Sequence, residues 1–533
     1  MERRDFVRLG LAAGAAAGTS GLALAAPAQT PASATFMPDA MLEAGVQRQQ
    51  QAMRAGKLTA HGLATRYLAR IEAVDRAGPR LRSVIELNPD ALGIARERDR
   101  ERKAGKLRGP LHGIPVLLKD NIATGDKMCT TAGSLALDGV RAARDAHLVA
   151  RLRSAGAVIL GKTNLSEWAN MRSVRSTSGW SARGGQTRNP YALDRNTSGS
   201  SSGSAAAMAA SLATLAVGTE TDGSIVSPSA SCGIVGIKPT LGLVSRAGII
   251  PIAHSQDTAG PMTRSVADAA FLLGALAGSD PQDGATARAP RVNYASFLRK
   301  DGLRGKRLGV ARDFFGANDG VNALIGKELD LLREQGAILE DVTIPNSDKY
   351  GQTELIVLLH EFRPDLEAWL AAYAPHAPVK TMADIIDFNL RNARREMPYF
   401  GQEHLIAAQS KGGLEARDYV KALANNRRYA RDKGLEQVLR DRKLDALVAP
   451  TGGPAWLTDY VNGDHYGSSF SSPAAVAGYP HVTVPAGLLH GLPVGLSFVG
   501  KAWSEPALIA MAYAYEQAGR RRRAPTYAAH IRV

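Results

Sequence analysis

Two hydrophobic patterns divide the chain. Over residues 41–74 and again over 88–106, apolar positions recur at helical spacing among charges, which predicts a helical prelude reaching to about residue 105. From Leu111 onward the pattern changes to short apolar runs bounded by Gly, Pro and polar turns, at residues 114–118, 157–160, 215–217 and 234–237. Runs of three to five apolar residues without alternation predict strands buried on both faces. Helix-like stretches at 147–154 and 204–212 separate them, so the alternation is that of an α/β sheet covered by helices.

The same grammar returns later. Residues 321–335 form an amphipathic helix closed by Gly336, followed by a strand over 337–342, with further strands expected at 447–449 and 482–484. Between them, 355–373 and 414–441 are charged and helical, and are expected to form the cover on the substrate side. Ser504, Glu505 and Pro506 open a final helix that runs through Leu508, Ile509, Ala512 and Tyr515 to Gly519.

The N-terminal thirty residues do not fit this scheme. A basic start with Arg3-Arg4 and Phe6, a Gly/Ala-rich apolar middle and small-residue cleavage sites near Ala25 and Ala28 read as a twin-arginine-type export signal over residues 1–28. The remainder, 29–533, is then a folded domain expected in the periplasm or outside the cell. No later segment has 18 consecutive apolar residues, so no membrane association is expected once the signal is removed.

Composition narrows the chemistry. At 45% hydrophobic and 22% charged residues the chain is globular rather than disordered or fibrous. Its 65 Lys and Arg against 50 Asp and Glu leave a net charge of +15, but the basic residues are scattered. The one dense run, Arg520 to Arg523, has no interleaved aromatics and reads as a solvated patch, so no nucleic-acid partner is expected. With two cysteines, Cys129 and Cys232, and no His cluster in the sequence, a disulfide framework, a zinc site and an iron–sulfur site all lack ligands at the right spacing, and no metal is expected.

Two motifs match by letter and fail by context. GAVILGKT at 156–163 fits a phosphate-binding loop, yet its interval is Ala-Val-Ile-Leu, itself a strand, with Gly156 ending the preceding helix. GSSSG at 199–203 fits a nucleophile elbow, yet the polar, Pro-containing segment before it is no buried strand.

The Gly/Ser loop at 197–204 is paired with a second at 218–224, GTETDGS, and with LHGIPVLLKDN at 111–121. Together with KPT at 238–240, GPM at 260–262 and, more weakly, GYP at 478–480 and PVG at 493–495, these segments resemble the amidase signature family. The resemblance implies one large α/β domain with a mixed central β-sheet covered by helices. It implies no cofactor and a Ser-cisSer-Lys triad: Ser224 as nucleophile, Ser200, held by a cis peptide, as proton relay, and Lys119 as base. Ser224 follows Ser200 by 24 residues, as in that family. The chemistry agrees, because a Ser hydroxyl needs a neighbouring base and a Lys serves only when burial lowers its pKa.

In the second loop, the backbone N–H groups of Thr221, Asp222, Gly223 and Ser224 are the expected oxyanion donors. Asp222 stands where the family often has glycine, which could narrow or charge the surroundings. Ser201, Ser202 and Ser204 read as loop and helix-cap residues. Residues 170–172 and 178–185 read as structural or pocket-edge segments resembling the subgroup with bacterial peptide amidases. The histidines, including His112, His254 and His481, are not required. The implied substrate is a small-molecule or peptide carboxamide, with C-terminal peptide amides first. A general aliphatic or aryl amidase or esterase, a partner-dependent amidotransferase subunit, and a catalytically inactive basic surface-binding protein are the alternatives.

Overall fold

The computed structural model describes residues 36–531, so the expected export signal at 1–28 lies outside the described residues. Its strands in chain order are β1 (Val84–Leu87), β2 (Pro115–Lys119), β3 (Val158–Thr163), β4 (Trp180–Ser181), β5 (Gly185–Gln186), β6 (Leu215–Glu220), β7 (Val235–Lys238), β8 (Thr258–Thr263), β9 (Arg307–Ala311), β10 (Ile338–Val342), β11 (Ala446–Pro450), β12 (His481–Leu489) and β13 (Leu492–Val499). Eleven of them form one sheet in the order β1-β3-β2-β6-β8-β7-β12-β13-β11-β9-β10, while β4 and β5 pair apart. The sheet is mixed: β3, β2 and β6 run parallel, as do β11, β9 and β10, and the centre is antiparallel.

The fully apolar runs became the fully buried strands, because a strand covered by helices on both faces has no solvent side to mark with polar residues. Strand β3 continues past the expected end at Leu160 to Thr163, and takes Lys162 into the interior. The Lys162 ammonium is satisfied there by Ile122 O (2.7 Å), Thr130 Oγ1 (3.0 Å) and Cys129 O (3.1 Å). Gly156 sits at φ +79° after the His147–Ser154 helix, so this segment is a helix end and a strand rather than a phosphate loop.

The helical prelude is interrupted. The helices Val46–Arg54, Ala60–Arg70 and Ala91–Lys103 are present, but β1 lies between them and pairs antiparallel with β3 at the sheet edge. Four residues are too few to show a period, and the pairing is tertiary. The expected basic patch also differs: Arg521 pairs with Glu328 at 3.0 Å and Arg522 with Glu43 at 2.8 Å, so half of the run is tied to the body of the protein. Cys129 and Cys232 are separate free thiols. Among the described residues no helix is long and apolar enough to cross a membrane.

One helix sets up the site. Ser202–Ala209 is buried along its whole length, and apart from Met208 only small side chains line it. Gly203 N donates to Asn164 O at 3.0 Å, and a Cβ on Gly203 would lie inside van der Waals contact of Ser83 O and Asn164 O. That close approach fixes where the loop at 197–201 meets the sheet.

Candidate active site

Strand β2 ends at Lys119, and its parallel neighbour β6 ends one residue before the 221–224 loop. The register therefore places the Lys119 side chain beside Thr219. Its Nζ lies 2.8 Å from Thr219 Oγ1, 3.2 Å from Thr219 O and 2.7 Å from Ser200 Oγ. Lys119 is fully buried, and burial lowers its pKa to about 7, against the opposing pull of Asp257 and Glu220. The Gly199–Ser200 peptide bond is cis.

The two serine loops are stitched by Ser201. Its N–H donates to Ser224 O at 3.1 Å, its hydroxyl donates to Thr219 O at 3.0 Å, and the same oxygen accepts from Thr219 N at 3.2 Å. Ser200 is 1% exposed and Ser224 8% exposed, so of the two hydroxyl-bearing residues Ser224 is nearer solvent. Among the described residues Ser224 Oγ has no hydrogen-bond partner, so the direct side-chain contact in this structure is Lys119 with Ser200. Ser224 is joined to them through its backbone.

The 221–224 loop is held from below. Glu220 Oε2 accepts from Ile225 N (2.7 Å) and Val226 N (3.0 Å), Thr221 Oγ1 donates to Asp257 Oδ1, and Gly223 takes φ +77°. Burial raises the Asp257 carboxyl to about 6. The backbone N–H groups of Thr221, Asp222, Gly223 and Ser224 make no hydrogen bond among the described residues, which leaves them available to an incoming oxygen. The Asp222 side chain is held by Ser472, whose Oγ donates to its Oδ2 at 2.6 Å.

Several residues at the site had no signal of their own. Asn121 Nδ2 donates to Thr219 Oγ1 at 3.0 Å, and Ser198 Oγ, Ser227 Oγ and Tyr466 OH form a chain with contacts of 2.8 and 3.0 Å along one side. Asn121 and Thr219 stand inside the quoted motifs, which gave them no role of their own. Tyr466, from a distant loop, stands outside them. Ser202 and Ser204 bond to Ser198 O and Val217 O, in keeping with loop and helix roles.

Arg172 is buried between Glu167 (2.6 Å) and Glu396 (3.7 Å), and Trp180 packs on Phe400, so the 170–172 and 178–185 segments anchor the 396–401 segment. None of the three named histidines contacts Ser200 or Ser224: His112 bonds to Arg98 O, and His481 bonds to Ser497 Oγ, with burial lowering its pKa to about 3. His254 meets Asp365 and Glu361, a cluster invisible in the sequence because His254 lies 111 residues before Asp365; His254 Nδ1 and Asp365 already form a 2.9 Å hydrogen bond.

A mixed sheet that brings a buried Lys–Ser pair beside a loop of open N–H groups is an arrangement suited to acyl transfer through a serine. The Amidase family model matches residues 63–509, and the chain belongs to that family, the amidase signature enzymes, hydrolases of amide C–N bonds. Its similarity extends over nearly the whole of several relatives. A crystal structure of a peptide amidase in complex with the competitive inhibitor chymostatin is 55% identical with a TM-score of 0.89, covering 91% of this chain and 99% of that one. The native peptide amidase from Stenotrophomonas maltophilia is 53% identical with a TM-score of 0.88, covering 92% of this chain and 99% of that one. A probable amidase of Arabidopsis thaliana is 44% identical over 500 residues, 91% of this chain and 92% of its own.

Proposed function

We propose that this chain is an exported amidase that hydrolyses the C-terminal carboxamides of peptides through Ser224, Ser200 and Lys119. The observation that carries the reading is the 2.7 Å contact between Ser200 Oγ and a fully buried Lys119 whose pKa lies near neutrality. A neutral amine has two N–H donors and one lone pair. Thr219 O and Thr219 Oγ1 accept the two donors, and the lone pair faces the Ser200 hydroxyl.

Lys119 then takes the Ser200 proton as Ser200 takes that of Ser224, and Ser224 Oγ attacks the carbonyl carbon. The oxygen that becomes negative is received by the N–H groups of the 221–224 loop. The proton returns through Ser200 to the departing nitrogen as the C–N bond breaks, leaving an acyl-Ser224. Water, deprotonated along the same relay, attacks that ester, and the carboxylic acid leaves as Ser224 recovers its proton.

The peptide-amide substrate is supported by the two peptide amidases, to which this chain is similar over 99% of their length. Export is supported by the leader pattern at residues 1–28 alone. The test is ammonia release from a panel of peptide, aliphatic and aryl amides, with Ser224→Ala as control. Release from peptide amides by the wild type and none by the variant is the expected result. Equal release by the variant, or turnover confined to aryl or aliphatic amides, would overturn the assignment or its substrate.

A further inference from the structure

The side chain of Asp222 takes no part in the steps above, yet it is elaborately held. Ser472 occupies its Oδ2, whereas its Oδ1 is buried without a hydrogen-bond donor. Glu354, near the start of the Gly351–Tyr373 helix of the cover, is also buried, and its carboxyl lies beside that of Asp222, as does the Ser471 hydroxyl. Gln256 Nε2 donates to Glu354 Oε1 at 2.8 Å, and the same nitrogen lies 3.3 Å from Thr221 O. Three residues far apart in sequence thus converge on the back of the 221–224 loop.

Neither carboxyl has an ion-pair partner among the described residues. Lys238, on β7, acts on Asp222 from a longer range, while Glu220 below the loop adds negative charge to this region; Tyr350 and Tyr466 are the other titratable groups facing the pair. Two carboxylates in contact without a cation do not both ionise, and burial pushes both upward, Glu354 well above the ordinary carboxyl range. The pair is better served by sharing a proton than by carrying two charges. With Oε1 taken by Gln256, Oε2 is the Glu354 oxygen left to carry such a proton, and Asp222 Oδ1 the one left to accept it.

We propose that Glu354 is a positioning residue for the oxyanion loop: its carboxyl O–H, donated to Asp222, ties the main chain of residues 221–224 to the cover helix and keeps the loop's N–H groups aimed at the reacting oxygen. The inference rests on the reading of that loop as the oxyanion cradle. It gives this chain's departure from the family's frequent glycine at position 222 a purpose, because glycine offers no side chain for the cover to grip. It also assigns the alkaline side of the pH profile. Losing the shared proton places a second negative charge behind a loop that must stabilise a developing negative charge, so kcat falls as the pair ionises.

The experiment compares Glu354→Gln and Glu354→Ala with the wild type, measuring kcat and KM for a peptide amide across neutral to alkaline pH, with a melting curve for each variant. Glu354→Ala is expected to lower kcat about tenfold or more with KM within about twofold, below the loss expected for deleting a donor outright. Glu354→Gln, which keeps a donor that does not ionise, is expected to restore kcat at neutral pH to within about threefold and to lose the alkaline fall.

A folded Glu354→Ala with wild-type kcat and alkaline limb overturns the proposal, as does a Glu354→Gln that loses as much kcat as the alanine variant. If the alanine variant does not fold, the alkaline limb of Glu354→Gln decides, its persistence being the overturning result. Labelling of Ser224 by a fluorophosphonate, whose phosphoryl oxygen occupies the same cradle, gives the same comparison without an amide substrate. A wild type that neither labels nor releases ammonia would overturn the reading of Ser224 itself, a failure separate from an active wild type indifferent to Glu354.

Discussion

Replacing Lys119 by Met separates what the buried amine does for catalysis from what it costs the fold. Burial moves the Lys119 pKa from 10.5 down to about 7. Below pH 7 the amine is protonated in both folded and unfolded states, and the folded state bears the full penalty of a buried ammonium, about 5 kcal/mol at about 1.4 kcal/mol per pH unit. Between pH 7 and 10.5 the unfolded chain binds the extra proton, so the stability of the wild type rises with pH through that window.

Methionine has no proton to lose and fills a similar volume. It forfeits the contacts to Thr219 and Ser200, at about 1 kcal/mol each, so Lys119→Met is expected to be about 2 kcal/mol more stable than the wild type at pH 6. By pH 9 the wild type has recovered two pH units, about 3 kcal/mol, and the advantage is gone. Urea denaturation of both proteins at pH 6 and pH 9 measures the difference. Activity follows the opposite course: the variant loses at least about a hundredfold in kcat/KM, the worth of a general base. In the wild type kcat/KM falls about tenfold per unit as pH drops below 7, because only the neutral amine accepts the Ser200 proton. A variant with near wild-type turnover, or a stability difference that is the same at both pH values, would refute the reasoning.

Two structural predictions stand beside the tests of Ser224 and Glu354. Gly203→Ala drives a methyl group into Ser83 O and Asn164 O, both main-chain atoms, and is expected to destabilise by about 1–3 kcal/mol and to lower kcat by shifting the 197–201 loop; a melting temperature and turnover unchanged from wild type would contradict it. Arg172→Met leaves Glu167 and Glu396 buried without their cation; because burial already raises both carboxyls, Glu167 to about 8, a loss of about 3–5 kcal/mol is expected in denaturant titrations at alkaline pH, shrinking as pH falls through about 8.

The strands that were legible in the sequence are those that needed no partner to be recognised. Ile114 to Leu118 and Leu215 to Val217 are apolar without interruption, and a run of that kind has few places to go but a covered sheet. Strand β1 was hidden because its four residues form an edge, and β8 because Gly260 and Pro261 break its apolar pattern; both owe their conformation to neighbours. Lys119, Ser200 and Ser224 were legible through motif grammar. The site's supports, Glu354, Gln256 and Tyr466, stand in segments with no such grammar, and loop closure over 98 residues, as between Gln256 and Glu354, or 239, as between Ser227 and Tyr466, leaves no trace in local composition.

The sequence by itself determined the α/β class, the two serine loops, the lysine that precedes them, and the rejection of GAVILGKT as a phosphate loop, since each depends on the order of residues within a short window. Only the tertiary structure decided that Lys119 is fully buried with its pKa lowered to about 7, that Ser201 joins the two loops, and that Glu354 of a cover helix lies behind Asp222. Desolvation and hydrogen-bond geometry are properties of what surrounds a group in space, and here those surroundings come from strands and helices far away along the chain.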